Sequence, residues 1–418
     1  MSDERDSPID FPSRYDRKIH VRDLRTGMYV TRLDRDWLET PFLLQGFLIH
    51  SANDVEEVAK YCEYVWVHNT EIPFAKDADM LSQRHASQNS NALFHVSTPI
   101  AEEHSIVRKL FSETSKYTQT MMEDVRLGRA IEEKKARVIV DKNVQSVMRN
   151  PDALAWMTKM RSEDSYTAEH SLSVCILALI FGRSLGFKEP QLSNLGLCGL
   201  LHDVGKIRVP IEILNKPSRL TDKEMKIMQA HAAHGRKLLS ESKNMYEGAI
   251  DVAYCHHERP DGKGYPQGLP SEDISLFSKI ISIVDSYDAM TCERVYAQAK
   301  PSTEALKIIY EERGKQFDEN LALAFIQTIG LYPPGSIVEL HNGCVGVVVE
   351  TNVQSRHLPK VLIMRDEEKL PCTHRLVDLA TTLAGELSSQ YQIKTIQRDG
   401  YRNIYLRECF EKGYLTSL

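Results

Sequence analysis

Histidine and aspartate side chains are concentrated in the middle of this sequence. Six of its fifteen histidines fall between positions 170 and 257, several of them in strongly apolar runs such as LCGLLHDVGK. Any one of them alone is best explained as a satisfied core or surface residue, but burying so many ionisable groups is unfavourable unless they pair or bind a metal. The set predicts a metal centre with these candidate ligands: His170, His202, Asp203, His231, His256, His257 and Asp285.

The number and chemistry of these ligands predict two divalent cations. Imidazole nitrogen and carboxylate oxygen suit Fe, Mn, Zn or Ni, and the candidate ligands are more numerous than one tetrahedral site uses. An Asp beside a His, as in His202-Asp203, can bridge two metals. Two metals about 3.5–4 Å apart clamp the attacking and leaving oxygens of phosphoryl transfer. We therefore expect phosphoryl hydrolysis by a bridging hydroxide, without a Ser or Cys nucleophile.

Helices are predicted to position these ligands. From about Ile106 to Leu331, apolar residues recur at three- and four-residue spacing, which is typical of amphipathic helices. Thr221 to Glu224 has the pattern of a capping box ahead of a helix predicted over Met225 to Leu239. This part of the chain is therefore expected to form a mainly α domain.

Both flanking regions are predicted to form strands. Before the helices, runs such as IHVRDL and GMYVTRL alternate in polarity and predict a small α/β or β module with one short helix. After Leu331, the segment YPPG interrupts the helix, and the runs that follow alternate like strands. The predicted organisation is a flexible tail (1–15), a small N-terminal accessory or regulatory domain (16–75), a linker (76–105), connecting helices (106–150), a catalytic domain (151–331) and a β-rich C-terminal appendage (332–418).

Composition narrows the class of protein further. The chain has 418 residues, of which 42% are hydrophobic and 26% charged, an ordinary globular mix at about 100–200 residues per domain. Its formal net charge of -6 argues against a protein built to bind long nucleic acid, though not against a small phosphate ligand. The polar N-terminus and the lack of a long apolar run predict a cytoplasmic protein without a transmembrane segment.

The motifs around the candidate ligands resemble a known family. HDVGK, at His202 to Lys206, resembles the core of the HD superfamily of metal-dependent phosphohydrolases. HHERPDGKGYP, at His256 to Pro266, resembles the signature of its HD-GYP subfamily, as does IVDSYDAMTCER at Ile283 to Arg294. The resemblance covers about residues 150 to 330. It implies an all-helical HD domain that hydrolyses the bacterial second messenger cyclic di-GMP to pGpG, and often on to GMP.

The resemblance implies roles in the metal centre. All seven candidate ligands match metal-ligand positions of the family, with Asp203 bridging the two ions. Asp203 and Lys206 are the implied catalytic residues, and Lys206 lies beside the scissile phosphate, where it offsets developing charge. The implied cofactors are two divalent ions, Fe or Mn by preference, with Zn or Ni acquired on purification.

The resemblance also implies a substrate-binding surface. Arg294 binds a phosphate of the substrate, residues 264–266 shape the loop at the pocket rim, and Asp261 orders that loop. In this family the GYP loop can engage diguanylate cyclases (GGDEF proteins), and a homodimer is left open. The implied substrate-binding residues are Lys206, Asp261, Gly264, Tyr265, Pro266 and Arg294.

Two positions depart from the family pattern. Some members hold a third metal with a Glu four residues before the first His, but Tyr166 occupies that position here. Because a phenol is a poor ligand for such a site, we expect two metals. The family often has a basic residue three positions after the Arg, where this chain has Ala297. We expect either weaker substrate binding or replacement of that residue by another lysine, such as Lys300.

The motifs leave three functions open. The first is a cyclic di-GMP phosphodiesterase. The second is a cyclic di-GMP receptor or a scaffold for partners, with little turnover. The third is a phosphodiesterase for another cyclic dinucleotide, such as cyclic GMP-AMP.

Overall fold

The structure is a computed structural model, and it divides into two compact units, residues 1–92 and 93–418. The residues that it describes are 16–26, 28–35, 40, 47–49, 52–68, 96–159, 166–292, 299–352, 355–382 and 385–415. The predicted flexible tail (1–15) lies outside them, and so does most of the predicted linker.

In its described residues, the first unit is a four-stranded antiparallel sheet with one α-helix. Its alternating strands place one side of the sheet in a core that includes Ile19, Val30 and Val65, and Val58 of the helix joins that core. The strand order is β1-β4-β2-β3, which confirms the predicted small α/β module. The elements are β1 (Asp16–His20), β2 (Tyr29–Leu33), β3 (Phe47–Leu48), α1 (Ala52–Tyr61) and β4 (Tyr64–His68).

The second unit begins with a helical bundle, as predicted. Its first helix starts at Ile100, so the last six residues of the predicted linker are helical instead. The helices are α2 (Ile100–Arg126), α3 (Glu133–Arg149), α4 (Pro151–Met157), α5 (Tyr166–Ser184), α6 (Glu189–Leu201), α7 (Ile211–Leu214), α8 (Asp222–Gln229), α9 (His231–Ser240), α10 (Glu247–Cys255), α11 (Leu276–Thr291), α12 (Ser302–Glu311) and α13 (Glu319–Ile329).

Helices α5 and α6 form the centre of this bundle. Their side chains are apolar on nearly every side, with residues such as Leu172, Ile176 and Leu197 fully or almost fully buried, as expected of helices surrounded by others. Helices α3 and α11 pack against them. The two central helices also carry His170 and the residues before His202, so the best-packed part of the fold supports the candidate ligands.

The predicted helix over 225–239 is interrupted. Thr221 and Glu224 do form the expected capping box, with Glu224 N donating to Thr221 Oγ1 at 3.4 Å. The helix then divides at Ala230 into α8 and α9. His231 consequently lies at the first position of a new helix, where its backbone closely approaches the backbone of Gly205.

The chain ends in a five-stranded antiparallel sheet that packs on the bundle. The strand order is β8-β7-β6-β5-β9, and Trp156 Nε1 of α4 donates to Val348 O in the sheet at 3.1 Å. This confirms the β-rich C-terminal part, while the predicted boundaries stay predictions. The elements are β5 (Ile337–Leu340), β6 (Val345–Glu350), β7 (Lys360–Arg365), β8 (Pro371–Asp378), β9 (Ile393–Gln397) and α14 (Leu406–Glu411).

The described residues also establish two chemical properties of the chain. In the described part of the chain, none of the helices combines the length and the apolar character that a membrane span requires. All eight cysteines are free thiols, and seven of them are buried.

Candidate metal centre

Five segments of the bundle bring the candidate ligands together. His170 lies in α5, His202 and Asp203 follow α6, and His231 begins α9. His256 and His257 follow α10, and Asp285 lies in α11. Six of the seven are buried, and His257 is partly buried.

The ligands form two groups. In each group, one possible ligand atom per residue lies within 4.8 Å of the others. The first, which we call the histidine group, is His231, His256 and His257 with Asp203; the second, which we call the mixed group, is His170, His202 and Asp285.

Asp203 lies between the two groups. Its Oδ1 is 3.4 Å from Nε2 of His231 and 3.7 Å from Nε2 of His256. Its Oδ2 is 3.3 Å from Nε2 of His202 and 3.5 Å from Nε2 of His170. One carboxylate oxygen therefore faces each group, which is the arrangement of a bridging carboxylate.

Backbone carbonyls fix the orientation of three histidine rings. Nδ1 of His202 donates to Gly199 O at 2.8 Å, and Nδ1 of His231 donates to Met228 O at 2.7 Å. Nδ1 of His256 donates to Val252 O at 2.9 Å. Because a carbonyl can only accept, Nδ1 carries the proton in each ring, and Nε2 presents a lone pair to the centre.

These lone pairs fit divalent cations. Nε2 of His231 and Nε2 of His256 are 3.5 Å apart, and two acceptors at this distance repel each other unless a cation lies near both. Within the described ranges, Nε2 of His202 and Oδ1 of Asp203 are buried without a hydrogen-bond partner. Buried acceptors of this kind are uncommon in proteins and need a proton or a metal. The residues present therefore fit a metal centre.

Asp288 orients the fourth ring and was not predicted from the sequence. Its Oδ2 lies 2.7 Å from Nδ1 of His170, and Oδ1 of Asp285 lies 3.0 Å from Nε2 of the same ring. Asp288 is itself buried. The signal was present in the sequence, because Asp285 and Asp288 are three residues apart in an apolar run and so share one face of α11.

The two groups differ in charge. Burial lowers the pKa of His231 to about 4 and that of His257 well below its usual range, so both rings are neutral. At His170, burial also acts to lower the pKa, but hydrogen bonds to Asp203, Asp285 and Asp288 outweigh it and raise the pKa to about 10. In the histidine group, His231 and His257 are therefore neutral, whereas the mixed group contains a ring surrounded by carboxylates.

Lys206 lies beside the bridging carboxylate. It is half-buried in the 3-10 turn Val204–Arg208, and its Nζ donates to Oδ2 of Asp203. Burial acts to raise the pKa of Asp203, but the charge of Lys206 and the contacts with His170 and His202 hold it well below its usual range. Asp203 is therefore ionised and available as an anionic ligand at neutral pH.

A close backbone approach positions Asp203 against His231. A Cβ on Gly205 would lie 2.0 Å from His231 O and 2.4 Å from Gly235 N, both closer than side chains tolerate. Only glycine lets the 3-10 turn lie against the start of α9. This explains the glycine of the HDVGK run.

The GYP loop forms one wall of the centre. The Tyr265 ring stacks on His257, with centroids 4.6 Å apart and planes at 27°, and Tyr265 N donates to His257 O at 3.2 Å. A Cβ on Gly264 would lie 2.4 Å from Arg259 N, so the loop requires glycine to fold back in this way. Pro266 follows and is exposed.

Two carboxylates hold this loop, and only one was predicted. Asp261 accepts from Lys263 N at 3.1 Å and pairs with Arg259 at 2.7 Å. Glu258, which sequence reasoning missed, is buried and accepts from Gln267 N at 2.7 Å and from Leu269 N at 2.9 Å. Nothing in the sequence separates Glu258 from a surface acid except its place next to two candidate ligands.

Three predicted positions are only partly described. Arg294 and Ala297 lie outside the described residues. Tyr166 begins α5, but its side chain is not among those described. Lys300, the expected substitute for a phosphate-binding residue, pairs with Glu304.

Two family models match the chain. A model of the HD domain matches residues 146–321, which include all seven candidate ligands. A model of a domain of unknown function (DUF3391) matches residues 16–136, from the first unit into helix α3.

A bacterial relative matches nearly the whole chain. Cyclic di-GMP phosphodiesterase PA4108 of Pseudomonas aeruginosa is 34% identical over 400 residues, which are 93% of this chain and 94% of the relative. The chain belongs to the HD-GYP family of cyclic di-GMP phosphodiesterases. The family predicted from the HDVGK and GYP motifs is thereby confirmed.

Other relatives match this HD-GYP chain over its catalytic part. The cyclic di-GMP phosphodiesterase response regulator RpfG of Xanthomonas campestris is 38% identical over 153 residues, 36% of this chain and 40% of the relative. The 3'3'-cGAMP-specific phosphodiesterase 3 of Vibrio cholerae is 34% identical over 172 residues, 41% of this chain and 37% of the relative. The HD-GYP part is therefore shared among proteins named for two different cyclic dinucleotides.

Proposed function

We propose that this HD-GYP chain hydrolyses cyclic di-GMP to pGpG, and pGpG to GMP, at a centre that holds two divalent cations. The observation that carries this proposal is the position of Asp203, with one carboxylate oxygen toward each ligand group. The relative that matches nearly the full chain supports the choice of substrate, since it is named a cyclic di-GMP phosphodiesterase.

The two ligand groups would hold one cation each. The histidine group offers three imidazoles and Oδ1 of Asp203, and the mixed group offers two imidazoles, Asp285 and Oδ2 of Asp203. Nitrogen and oxygen donors without thiolate suit Fe, Mn, Zn or Ni, and the family resemblance favours Fe or Mn among these. When bound, the two cations polarise the phosphate and activate water for attack on phosphorus.

Charge explains why the cations are needed for substrate binding. Asp203 and Asp285 are both ionised. The charge of Lys206 and histidine contacts outweigh burial at Asp203, contacts with His170 and His202 do so at Asp285, and each pKa is held well below its usual range. A phosphodiester would be repelled by these carboxylates alone. Divalent cations reverse the sign of the local field and make the site attractive to an anion.

Residues of the chain itself would then position and stabilise the substrate. Lys206 lies next to Asp203, so its ammonium group can offset charge that develops on the phosphate. Arg294 would bind the second phosphate through its guanidinium fork. Asp288 would keep Nε2 of His170 directed at the mixed group.

Tyr265 would contact the substrate as a neutral hydrogen-bond donor. Burial raises the pKa of Tyr265, and the carboxylates of Asp203 and Asp285 raise it further, so its hydroxyl stays protonated at neutral pH. Its ring is fixed on His257. Removing the hydroxyl should therefore affect substrate affinity more than metal content.

The direct test combines metal analysis with product analysis. Protein purified without oxygen should contain about two cations per chain, and with Fe or Mn it should release pGpG and then GMP from cyclic di-GMP. Absence of both products with either metal would contradict the phosphodiesterase proposal. Binding of cyclic di-GMP without turnover would instead favour the receptor or scaffold.

A second substrate has specific support. The catalytic part is 34% identical to a Vibrio cholerae phosphodiesterase named for 3'3'-cGAMP. Competition between cyclic di-GMP and 3'3'-cGAMP for one enzyme sample gives the ratio of kcat/KM directly. A ratio in favour of 3'3'-cGAMP would reassign the substrate and leave the metal centre unchanged.

The GYP loop is proposed as the contact for a GGDEF partner. Gly262, Lys263 and Pro266 are exposed, while Glu258 anchors the loop from the buried side. Replacing Lys263 by Glu should weaken capture of a purified GGDEF domain without changing metal content. Equal capture by both proteins would contradict this role.

A further inference from the structure

A cavity separate from the metal centre lies in the second unit, where the bundle meets the C-terminal sheet. It has a volume of about 70 Å³ and is lined by parts of α4, α5, α11 and α13 together with the segment after β6. None of the seven candidate metal ligands lines it. A volume of this size corresponds to roughly five water positions, which is room for a phosphate group and far too little for a dinucleotide.

Among the ionisable side chains described in this cavity, basic ones outnumber acidic ones. Arg183, in the last turn of α5, is only 7% exposed. Arg356 reaches in from the loop after β6 and donates from Nη1 to Thr328 O, at the end of α13. Nζ of Lys159 lies 5.7 Å from the centroid of the Tyr287 ring. All three residues line the same small space.

A single carboxylate opposes them among the described lining residues. Asp152 is buried, and its Oδ2 already accepts from Thr351 N at 2.7 Å and from Thr351 Oγ1 at 2.8 Å. Among the described lining residues, three cations and one carboxylate give a formal net charge of +2. Burial lowers the pKa of Arg183 and of Arg356, with Asp152 opposing this in both cases, as expected for cations held away from water.

We propose that this cavity binds the phosphate group of a small molecule or inorganic phosphate itself. Phosphate carries about -1.5 to -2 at neutral pH, which matches the net charge of the site. Guanidinium groups bind phosphate through paired hydrogen bonds and tolerate burial better than ammonium groups do. A monocarboxylate would leave about one positive charge unmatched.

An occupant of this site would contact α5 and α11, the two helices that carry His170 and Asp285 of the mixed group. Arg183 is on α5 with His170, and Tyr287 is on α11 between Asp285 and Asp288. The site is thus separate from the metal centre, but the two share α5 and α11. This inference does not depend on which cyclic dinucleotide is hydrolysed.

Calorimetric titration of the metal-loaded full chain with inorganic phosphate tests the proposal. Phosphate can also bind the metal centre, so the wild-type isotherm should contain two sites. Arg356→Gln should weaken one of them by about tenfold or more, and leave the other unchanged. Lys159→Met serves the same purpose and leaves the hydrogen bond from Arg356 to Thr328 O in place. The matched control is Arg407→Gln, which removes an exposed arginine paired with Glu411.

The outcomes are distinguishable. One site weakened in Arg356→Gln or Lys159→Met, and retained in Arg407→Gln, supports the cavity site. If Arg356→Gln does not fold, Lys159→Met decides. Identical isotherms for the wild type and Lys159→Met, or a single wild-type site that disappears with the metals, overturn the proposal. Competition by glycerol phosphate at the weakened site would identify a phosphate monoester as the source, and its failure would identify inorganic phosphate.

Discussion

The histidine group and the mixed group of the metal centre share Asp203 but are built differently. In the histidine group, carbonyls of the backbone fix His231 and His256, and burial keeps His231 neutral. In the mixed group, a second carboxylate, Asp288, fixes His170. We infer that the mixed group holds its cation through charge, whereas the histidine group depends on ring orientation. The two halves should therefore respond differently to mutation.

Removing the shared ligand should have the largest effect, because it damages both halves. Asp203→Ala should lose most of both cations and reduce turnover by about 10³ or more. Metal content and product formation are measured on the same sample. Asp273→Ala, an exposed acid outside the centre, is the control. Two retained cations in Asp203→Ala would contradict the bridging role.

Replacing Lys206 should lower the rate of hydrolysis without lowering the metal content. Lys206→Ala should reduce kcat by roughly 10²- to 10³-fold, the usual effect of removing one group that stabilises developing charge, and both cations should remain. The control Lys226→Ala changes an exposed lysine of α8 and should be neutral. Normal turnover in Lys206→Ala would show that the phosphate is stabilised elsewhere.

Asp288 allows the mixed group to be weakened alone. Asp288→Asn should reduce the affinity for one cation by about 10- to 100-fold, as other partners of ligating histidines do, and leave the second cation in place. Titration with Mn, followed by its electron paramagnetic resonance signal, counts the two sites separately. Asp251→Asn, on α10 outside both groups, is the control. Equal loss at both sites would contradict the distinction between the groups.

His104 shows what a buried histidine without a ligand role looks like. Both ring nitrogens are buried and lack hydrogen-bond partners within the described ranges, and the ring lies edge-on to Trp156 at 6.0 Å. Burial lowers its pKa from 6.5 to about 4. Because the unfolded chain binds the proton more readily, His104 should cost about 3 kcal/mol of stability as the pH falls from 6.5 to 4.

Denaturant titrations at pH 7 and pH 4.5 check this smallest prediction. His104→Leu should lose less stability over that interval than the wild type, with no change in metal content. His341→Leu, at an exposed position, should behave as the wild type does. An unchanged pH dependence in His104→Leu would show that other groups cause it.

The sequence indicated the candidate ligands but not the groups that support them. His202, Asp203 and His256 fall in motifs whose residue types suit metal binding, so they could be proposed as ligands from the sequence, and the structure brings them together. Asp288 and Glu258 act on atoms that become neighbours only after helices pack, and a linear pattern contains little of that information. The helix break before His231 has the same origin, because it accompanies the close approach of Gly205.

The flanking folds show a similar limit. Alternating polarity correctly predicted strands in the parts of the sequence that precede and follow the helices. It could not predict that β9, more than fifty residues after β5, pairs with it at the edge of the sheet, because pairing depends on tertiary contacts. The start of α2 at Ile100 was missed because the polar sequence before it resembles a linker.

The contacts of α4 with the C-terminal sheet bear on how this enzyme can be divided. Trp156 is fully buried and gives its indole hydrogen to the sheet, and Asp152 relies on Thr351 for both of the hydrogen bonds described above. A chain that ends at Leu331 would lack the sheet. The Trp156 ring would then be exposed to solvent, and the Asp152 carboxylate would lose both hydrogen bonds from Thr351. The catalytic helices therefore depend on the C-terminal sheet for their packing. A fusion protein that contains these helices would need to include the sheet as well.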